Sequence, residues 1–140
     1  MNVNLKGSFF LTKQIGNLSL INKKGNVVFV SSQHGVVGNI QRTAYCSSKT
    51  GIIGLVRALT ADWSPLGVRI NAVSPTYILN SDNEDYLLSP QNKRNMLSKI
   101  PLHRYALPSD VASAILFISS DMASMIAGQN IIVDGGYTCL

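Results

Sequence analysis

Tyr45 and Lys49 are the residues of this 140-residue chain whose types and spacing most directly suggest chemistry. They stand four positions apart in a segment with a helical pattern, and residues at this spacing lie on one helix face. A free phenol has a pKa of ~10 and exchanges protons poorly at neutral pH, but a nearby ammonium favours its ionised form. A tyrosine tuned in this way can act as a general acid or base at a carbonyl or alcohol oxygen. The same spacing also arises by chance, as a surface tyrosine beside a surface lysine.

Ser32 lies thirteen residues before Tyr45 and follows the apolar run Val27–Val30. A short run of this kind is typical of a strand buried on both faces of a parallel sheet. In open α/β sheets, ligands bind beyond the carboxyl ends of the strands. The glycine-containing segment after the strand can fold Ser32 back toward Tyr45. A serine at a strand end can also be a simple cap, so the prediction of a site depends on the combination of residues.

Hydrophobic periodicity predicts alternating helices and strands around these residues. Helices are predicted over residues 2 to about 20, 43–63 and 108 to about 119, and strands over 27–30, 68–73 and 129–133. Turns are predicted at 23–26 and 134–136, a loop at 33–42, and a strand end at Ser74 and Pro75. Residues 76 to about 100 are polar, with helical stretches expected among them.

The order of these elements predicts an α/β fold with a parallel sheet and right-handed crossovers. A doubly wound, Rossmann-like sheet has about six strands, whereas only three are visible in this sequence. Residues 1–140 are therefore predicted to form a single incomplete domain, a partial doubly wound sheet of three C-terminal strands with flanking helices. One edge of that sheet would be bare.

Several segments in this order resemble the short-chain dehydrogenase/reductase family. They are Gly-Asn-Val-Val-Phe-Val-Ser-Ser at 25–32, Tyr-Cys-Ser-Ser-Lys at 45–49, Gly-Val-Arg-Ile-Asn-Ala-Val-Ser-Pro at 67–75, and Gly-Gln-Asn-Ile-Ile-Val-Asp-Gly-Gly at 128–136. The opening Asn-Val-Asn-Leu-Lys-Gly-Ser-Phe at 2–9 matches the helix that carries the family's fourth catalytic residue. The resemblance covers nearly the whole chain. It implies an NAD(P)-dependent oxidoreductase that moves hydride between nicotinamide and a small-molecule carbonyl/alcohol pair.

The resemblance implies a role for each of four residues. Tyr45 would be the general acid/base, and Lys49 would bind the nicotinamide ribose hydroxyls and favour the ionised form of Tyr45. Ser32 would polarise the substrate carbonyl. Asn4 would hold a water that connects Lys49 to solvent. An asparagine near a helix start is also a common cap, and Asn2 is a neighbouring candidate.

The resemblance also implies that the segment after the second strand lies against the nicotinamide. The implied cofactor contacts are Tyr45, Lys49, Pro75, Thr76, Ile78 and Asn80. Thr76 replaces the usual glycine and would restrict the backbone, and Asn80 replaces the usual threonine. Ile78 matches the family, and its backbone would meet the carboxamide. Residues 80–100 would form the substrate lid, and its acidic side chains are expected to be a solvated face. Arg104, Pro108 and Asp110 also fit the family pattern.

The sequence contains no Gly-x-x-x-Gly-x-Gly motif, the turn with which a helix N-terminus binds the cofactor pyrophosphate. It therefore predicts that the N-terminal dinucleotide-binding half is missing, and that Met1 is an internal methionine or a displaced start. NAD and NADP remain equal candidates. Sugars or polyols are the favoured substrates, from the Pro-Thr-Tyr-Ile run at 75–78 and the polar lid. The alternative is a non-catalytic remnant or oligomerisation module, because family members form dimers or tetramers through helices matching 2–20 and 43–63 and through the last strand.

The two histidines do not support a hydrolase. His34 and His103 lack a nucleophile arrangement, and Ser32 is not part of a Gly-x-Ser-x-Gly elbow. His34 lies two residues after Ser32, so it is either a residue of the substrate pocket or an ordinary loop histidine.

Charge, cysteines and hydropathy bear on the remaining classes of function. The chain has 12 basic and 7 acidic residues, and the basic ones are scattered, which disfavours nucleic-acid binding. No apolar run approaches the ~20 residues that span a membrane. Cys46 and Cys139 form no Cys-x-x-Cys pair and belong to no cluster with metal-ligand spacing. The sequence thus predicts a cytoplasmic protein with reduced thiols and without a metal site.

Overall fold

A computed structural model describes residues 1–16, 18 and 24–140 of the chain. Its three strands are β1 (Asn26–Val30), β2 (Arg69–Pro75) and β3 (Asn130–Val133), which form one parallel sheet in the order β1-β2-β3. Val30 is aligned with Val73, and Pro75 with Val133. The carboxyl ends of the strands therefore point to one edge of the sheet. The predicted α/β, Rossmann-like parallel architecture is confirmed.

Helices and short turns of helix connect and cover the strands. The α-helices are α1 (Ser8–Ile15), α2 (Thr43–Trp63), α3 (Glu84–Leu88), α4 (Pro90–Asn95) and α5 (Pro108–Ser119). A π-helical segment, Asn2–Gly7, precedes α1, and single 3₁₀ turns lie at Gln33–Gly35, Ser64–Leu66, Leu97–Lys99, Asp121–Ala123 and Tyr137–Cys139. The predicted bounds of α2 and α5 are confirmed.

The sheet is buried between helices on its two faces. On one face, Ile52 and Val56 of α2 pack with Phe29 and Ile70 in a buried apolar cluster. On the other face, α5 contributes to a second buried cluster that includes Val73. Strands covered on both sides need apolar side chains in both directions, which explains the continuous apolar runs in the sequence.

Strand β2 is longer than its predicted bounds, because Ser74 and Pro75 continue it instead of ending it. Both residues are buried, and they pair with Ile132 and Val133 of β3. The Ser74 hydroxyl donates to the Asn130 side-chain oxygen at 2.6 Å. Proline signals an end because it has no N–H for the ladder. Proline does not end the strand before Pro75, because Pro75 is the last residue of β2 and pairs with Val133 without donating an N–H.

The first predicted helix, residues 2 to about 20, differs from the structure at its start. Residues 2–7 adopt the wider π turn, which apolar spacing does not distinguish from an α-helical turn. The segment is held close to α2, because Leu5 occupies the space where Gly51 lacks a Cβ. Residues 17 and 19–20 of the predicted helix, and Lys23 of the predicted turn, lie outside the described residues.

The segment between β2 and α5 forms a separate small layer. The helical stretches predicted within residues 76–100 are present as α3 and α4. Leu87, Ile100 and Tyr105 form their buried centre, and the Tyr105 hydroxyl donates to the Leu87 carbonyl at 2.9 Å. This layer supplies one wall of the cavity described below.

The described residues contain neither a membrane-spanning helix nor a cluster of metal ligands. Across residues 1–16, 18 and 24–140, no helix is long and apolar enough to cross a membrane. Within the same ranges, no group of three or more His, Cys, Asp or Glu side chains is placed to hold a metal ion. Among the described strands β1 and β3 each have one neighbour, so both are edge strands of this sheet.

Candidate active site

Ser32 and Tyr45 line the same cavity at the carboxyl edge of the sheet. Ser32 lies two residues beyond the end of β1 and is buried, while Tyr45 lies in the first turn of α2 and is partly exposed. The Ser32 hydroxyl oxygen accepts a hydrogen bond from the His34 backbone N–H at 3.2 Å. This bond uses an oxygen lone pair, so the hydroxyl proton is still available to a ligand. The structure thus brings together two of the residues that the sequence singled out.

Lys49 lies one helical turn beyond Tyr45, as the spacing predicts. Its Nζ is 5.8 Å from the centre of the Tyr45 ring and donates to the Val30 carbonyl at 2.9 Å. Burial lowers the pKa of Lys49 below its ordinary value, because a desolvated ammonium is less favourable than a hydrated one. An ammonium has three donors, and one of them fixes the side chain at the end of β1.

The segment after β1 is bound tightly to α2. The Ser31 hydroxyl donates to the Lys49 carbonyl at 2.8 Å, and the Thr50 hydroxyl donates to the Gly35 carbonyl at 3.0 Å. A Cβ on Gly35 would lie 2.8 Å from the Ser31 Oγ and 3.0 Å from the Lys49 backbone. Glycine therefore permits the close approach that holds Ser32 next to α2.

Asn4 hydrogen-bonds to α2 and not to Lys49. Its side-chain nitrogen donates to the Ser48 Oγ at 3.3 Å, and Ser48 in turn donates to the Tyr45 carbonyl at 2.8 Å. Among the described residues no hydrogen bond joins Asn4 to Lys49. The alternative that Asn4 is a helix cap is wrong, because Met1 holds the cap position and no side chain caps this end.

Thr76 and Ile78 continue from β2 along the edge of the cavity. Thr76 is buried, its N–H donates to the Val133 carbonyl at 3.1 Å, and its hydroxyl has no partner within the described part of the chain. Thr76 does not have a positive φ. A threonine in place of the usual glycine therefore does not strain the backbone here. Ile78 forms a parallel bridge with Ala106, and its carbonyl accepts from the Asn83 side chain at 2.8 Å.

Asn80 organises the start of the small layer between β2 and α5. Its side-chain oxygen accepts from the Asp82 N–H at 3.1 Å and from the Asn83 N–H at 3.2 Å. The asparagine oxygen is therefore used in a local turn, and its amide NH₂ remains the group that could donate to a ligand. Pro75, the last residue of β2, is buried and directly precedes Thr76.

The cavity has a volume of about 380 Å³ and mixes polar and aromatic groups. The residues that sequence reasoning missed are Gln33, Asn39, Arg42, Tyr77, Asn83, Tyr86, Leu87 and Met96. Gln33, Asn39 and Arg42 belong to the segment between Ser32 and Tyr45, so their position between two candidate catalytic residues was an available signal. The others come from the small layer between β2 and α5; the resemblance predicts a substrate lid at 80–100, but no local pattern singles out these side chains.

Buried polar atoms without partners line this cavity. The side-chain oxygen of Gln33, the Nδ1 of His34 and the hydroxyl of Thr76 make no hydrogen bond among the described residues. The other ring nitrogen of His34 faces the side-chain nitrogens of Gln33 at 3.4 Å and Asn39 at 3.2 Å. Buried polar groups normally have hydrogen-bond partners, and unpaired groups in a cavity can bind a ligand or water.

His34 and Tyr77 are uncharged members of an aromatic group at this site. Burial lowers the pKa of His34, and the positive charges of Arg42 and Lys99 lower it further. Burial and the neighbouring Tyr137 raise the pKa of Tyr77 to about 12. The ring centres of His34 and Tyr77 are 6.0 Å apart, in edge-to-face contact. Tyr77 is therefore a poor proton donor at neutral pH.

Comparison with known proteins identifies the family. A family model described as enoyl-(acyl carrier protein) reductase matches residues 1–138. With the parallel sheet and the Ser, Tyr and Lys residues at its edge, this match defines the class of protein. The chain belongs to the short-chain dehydrogenase/reductase family, as the resemblance predicted.

Similar proteins use nicotinamide cofactors. The NAD-dependent glycerol dehydrogenase of Listeria innocua is 38% identical over 138 residues, covering 99% of this chain and 54% of that protein. A crystal structure from Agrobacterium tumefaciens with bound NADP has a TM-score of 0.91 at 33% identity, covering 100% of this chain and 57% of that chain. A 4-hydroxyisoleucine dehydrogenase complexed with NADH has a TM-score of 0.92 at 30% identity, with coverage of 99% and 57%.

The chain spans about half the length of the relatives it matches. This share does not by itself support the prediction that the dinucleotide-binding half is missing, which stays a prediction. The activity of those full-length relatives is likewise carried to this chain only as a proposal.

Proposed function

We propose that this chain provides the catalytic residues of an NAD(P)-dependent oxidoreductase that interconverts an alcohol and a carbonyl compound. The observation that carries the proposal is the shared cavity of Ser32 and Tyr45, with Lys49 one helical turn away. Family membership supports it, as does the use of NAD, NADH or NADP by the similar proteins. Sugars and polyols are the proposed substrates, because the cavity is rich in hydrogen-bonding groups.

Tyr45 would move the proton at the reacting oxygen. In the reducing direction its phenol gives a proton to the carbonyl oxygen, and in the oxidising direction its phenolate takes the alcohol proton. Ser32 would donate its hydroxyl proton to the same oxygen and stabilise the negative charge that develops there. The cofactor, when bound, supplies or accepts the hydride. Lys49 would hold the ribose hydroxyls and keep a positive charge beside Tyr45.

Asn4 is proposed as a positioning residue that holds a proton-relaying water. Its bond to Ser48 places it one helical residue from Lys49, on the side of α2 covered by the first segment. A water between Asn4 and Lys49 would connect the partly buried ammonium to solvent, which fits the absence of a direct bond among the described residues.

The described residues fit the nicotinamide end of the cofactor. The buried Thr76 hydroxyl lacks a partner at the carboxyl edge of the sheet, where ligands of such sheets bind. Thr76, Ile78 and the amide of Asn80 would bind the carboxamide side, with Pro75 packing beneath. The sequence contains no glycine-rich motif for the pyrophosphate end, so the proposed cofactor contacts are those at the nicotinamide end. NAD and NADP are both candidates.

Self-association is a second proposal. Apolar side chains of the first segment and α1, including Val3, Phe10 and Leu11, are exposed, and exposed apolar surface of this extent marks contact sites. A dimer or tetramer would cover it. The names of the similar proteins do not favour a purely non-catalytic oligomerisation module. A cytoplasmic location is proposed because Cys46 and Cys139 are both free thiols.

The experiment that tests the main proposal is a cofactor titration followed by a turnover assay. NADH and NADPH are titrated into the purified chain by calorimetry, and oxidation of a panel of polyols is followed by cofactor absorbance. We expect Tyr45→Phe to keep cofactor affinity within about 3-fold and to lower turnover by about 10²-fold or more, since general acid/base catalysis contributes 10²–10⁴-fold. Tyr86→Phe, a second tyrosine of the cavity, is the matched control. Binding of neither cofactor, or equal turnover by Tyr45→Phe, would contradict the proposal.

A further inference from the structure

Arg42 is a cation at the cavity with no ion-pair partner in the described part of the chain. It lies directly before α2 and lines the cavity with Ser32 and Tyr45. The ion pair found among residues 1–16, 18 and 24–140 joins Arg104 to Asp110, at 2.6 Å. No aspartate or glutamate lines the cavity, and the nearby Glu84 and Asp85 of α3 are exposed residues outside its lining.

The backbone before Arg42 is held in an uncommon conformation. Gln41 has a φ of 57°, in the left-handed region that residues other than glycine seldom adopt. The Arg42 N–H donates to the Asn39 carbonyl at 3.3 Å, which closes the turn in front of α2. Such conformations cost free energy and persist where surrounding structure requires them. Here the turn presents an arginine to the cavity.

Gln33 and His34 supply hydrogen-bonding capacity next to this cation. Gln33 is 1% exposed and His34 is 6% exposed, and each has a side-chain polar atom without a partner among the described residues. The amide nitrogens of Gln33 and Asn39 occupy one ring nitrogen of His34, so its Nδ1 is the free one. The Nδ1 of His34 can therefore form a hydrogen bond with a ligand hydroxyl group.

We infer that this cavity takes a polyhydroxy carboxylate, a sugar acid, whose carboxylate binds the Arg42 guanidinium and whose hydroxyls bind Gln33 and His34. An arginine binds a carboxylate through two parallel N–H donors, which gives both affinity and orientation. A neutral polyol would satisfy Gln33 and His34 and leave Arg42 without a counter-charge. The inference rests on the proposed function, because it names the substrate class of the same site.

The test compares gluconate with sorbitol, which have carbon chains of equal length and differ at the carboxylate. Their affinities for the 140-residue chain are measured by calorimetry in the presence of saturating cofactor and in its absence. We expect gluconate to bind about 10-fold or more tightly than sorbitol, since charge-assisted bonds are roughly twice as strong as neutral ones. Equal affinities, or no binding of either ligand, would overturn the inference.

Variants assign the difference to named side chains. Arg42→Gln should weaken gluconate binding by about 10-fold or more and leave sorbitol affinity within about 2-fold. Arg42→Lys should recover only part of the lost gluconate affinity, because lysine lacks the planar guanidinium that binds a carboxylate through two donors. Arg57→Gln, at an exposed arginine of α2 outside the cavity, is the matched control and should change neither affinity. Gln33→Met should weaken both ligands, with folding checked by circular dichroism. An unchanged gluconate affinity in Arg42→Gln would overturn the inference.

Turnover separates this inference from the proposed function. If gluconate binding depends on Arg42 but neither cofactor oxidises gluconate, the proposed function is contradicted and the carboxylate site is supported. If sorbitol and gluconate are oxidised with equal kcat/KM, the proposed function is supported and the carboxylate site is contradicted.

Discussion

Ser31 and Ser32 are adjacent serines whose hydroxyl groups form different hydrogen bonds. Ser31 donates its proton to the Lys49 carbonyl and so helps to attach β1 to α2. Ser32 accepts from the His34 N–H, so its own proton is not used in that bond. Alternation along an extended backbone directs the two side chains to opposite sides. One serine therefore stabilises the scaffold, and the other faces the reacting oxygen in the proposed reaction.

Ser32→Ala should lower kcat for alcohol oxidation by about 10²–10³-fold, the usual effect of losing one donor to a developing oxyanion. Its effect on KM should be smaller, because the hydroxyl acts most strongly in the transition state. Ser31→Ala is the control, and it should lower the free energy of unfolding by about 1 kcal/mol through the lost hydrogen bond. Steady-state kinetics and thermal melts on both variants measure the two effects. A loss of kcat in Ser31→Ala as large as in Ser32→Ala would contradict this assignment.

The residues of the site were predictable to different degrees. Tyr45 and Lys49 share a helix, so their spacing alone predicted that they lie close together. Ser32 needed the fold, because its proximity depends on a strand and a helix packing side by side. Arg42 and Tyr86 were missed, since a loop and a separate layer bring them to the cavity through contacts far apart in sequence. The roles of these residues stay predictions until the variants are measured.

At the scale of elements, the link between β1 and α2 positions the site. Gly35 lies where the turn after β1 meets the backbone of α2, with no room for a Cβ. We expect Gly35→Ala to lower the free energy of unfolding by about 1–3 kcal/mol, as overpacking in tight regions does, and to lower turnover by displacing Ser32. Gly38→Ala is the control, because nothing lies within 4 Å of its added Cβ. Equal melting temperatures for the two variants would show that the close approach is not required.

The start of α5 gives a prediction about pH. Asp110 accepts from the Leu107 N–H at 2.8 Å and pairs with Arg104 at 2.6 Å. The hydrogen bond from Arg104 lowers the pKa of Asp110 to about 2, with the Leu107 N–H as the next cause. A carboxyl with a lowered folded-state pKa contributes stability above its unfolded value of ~3.9, and that stability is lost as pH falls toward 2.

Asp110→Asn should therefore lower the melting temperature by a few degrees at pH 7 and by progressively less as the pH falls from 4 to about 2. The size of the effect should fall with added salt, because the pair is exposed and screened. Melting curves of both proteins across this pH range measure the difference. A constant difference from pH 7 to pH 2 would show that charge at Asp110 does not stabilise this helix end.

Element boundaries were predictable where a local signal marks them. Thr43–Trp63 and Pro108–Ser119 matched because proline and glycine mark where these helices stop or start. The end of β2 did not match, because pairing with β3 outweighs the turn signal at Ser74 and Pro75. The π turn at Asn2–Gly7 had no signal in the sequence, since its residues carry the same apolar spacing as an α-helix.

In the whole molecule, the outer surface of α1 carries several large exposed apolar side chains, which a self-contained domain seldom leaves uncovered. Phe9 and Phe10 are exposed and in edge-to-face contact with each other, with ring centres 5.3 Å apart. Leu11 and Ile15 extend the exposed apolar surface along α1. Strand β1 is also an edge strand among the described residues. The exposed apolar surface of α1 is where we expect the molecule to associate.

Leu11→Glu should reduce self-association, because a carboxylate in an apolar contact loses its hydration without gaining a partner. Leu116→Glu is the matched control: Leu11 is 63% exposed on α1 and Leu116 is 74% exposed on α5, over the opposite face of the sheet. Sedimentation velocity across a range of protein concentrations gives the mass of each variant. We expect Leu11→Glu to shift the distribution toward the monomer at concentrations where the parent chain and Leu116→Glu remain associated. If Leu116→Glu dissociates and Leu11→Glu does not, the contact surface lies on α5, and the apolar side of α1 must be covered in another way.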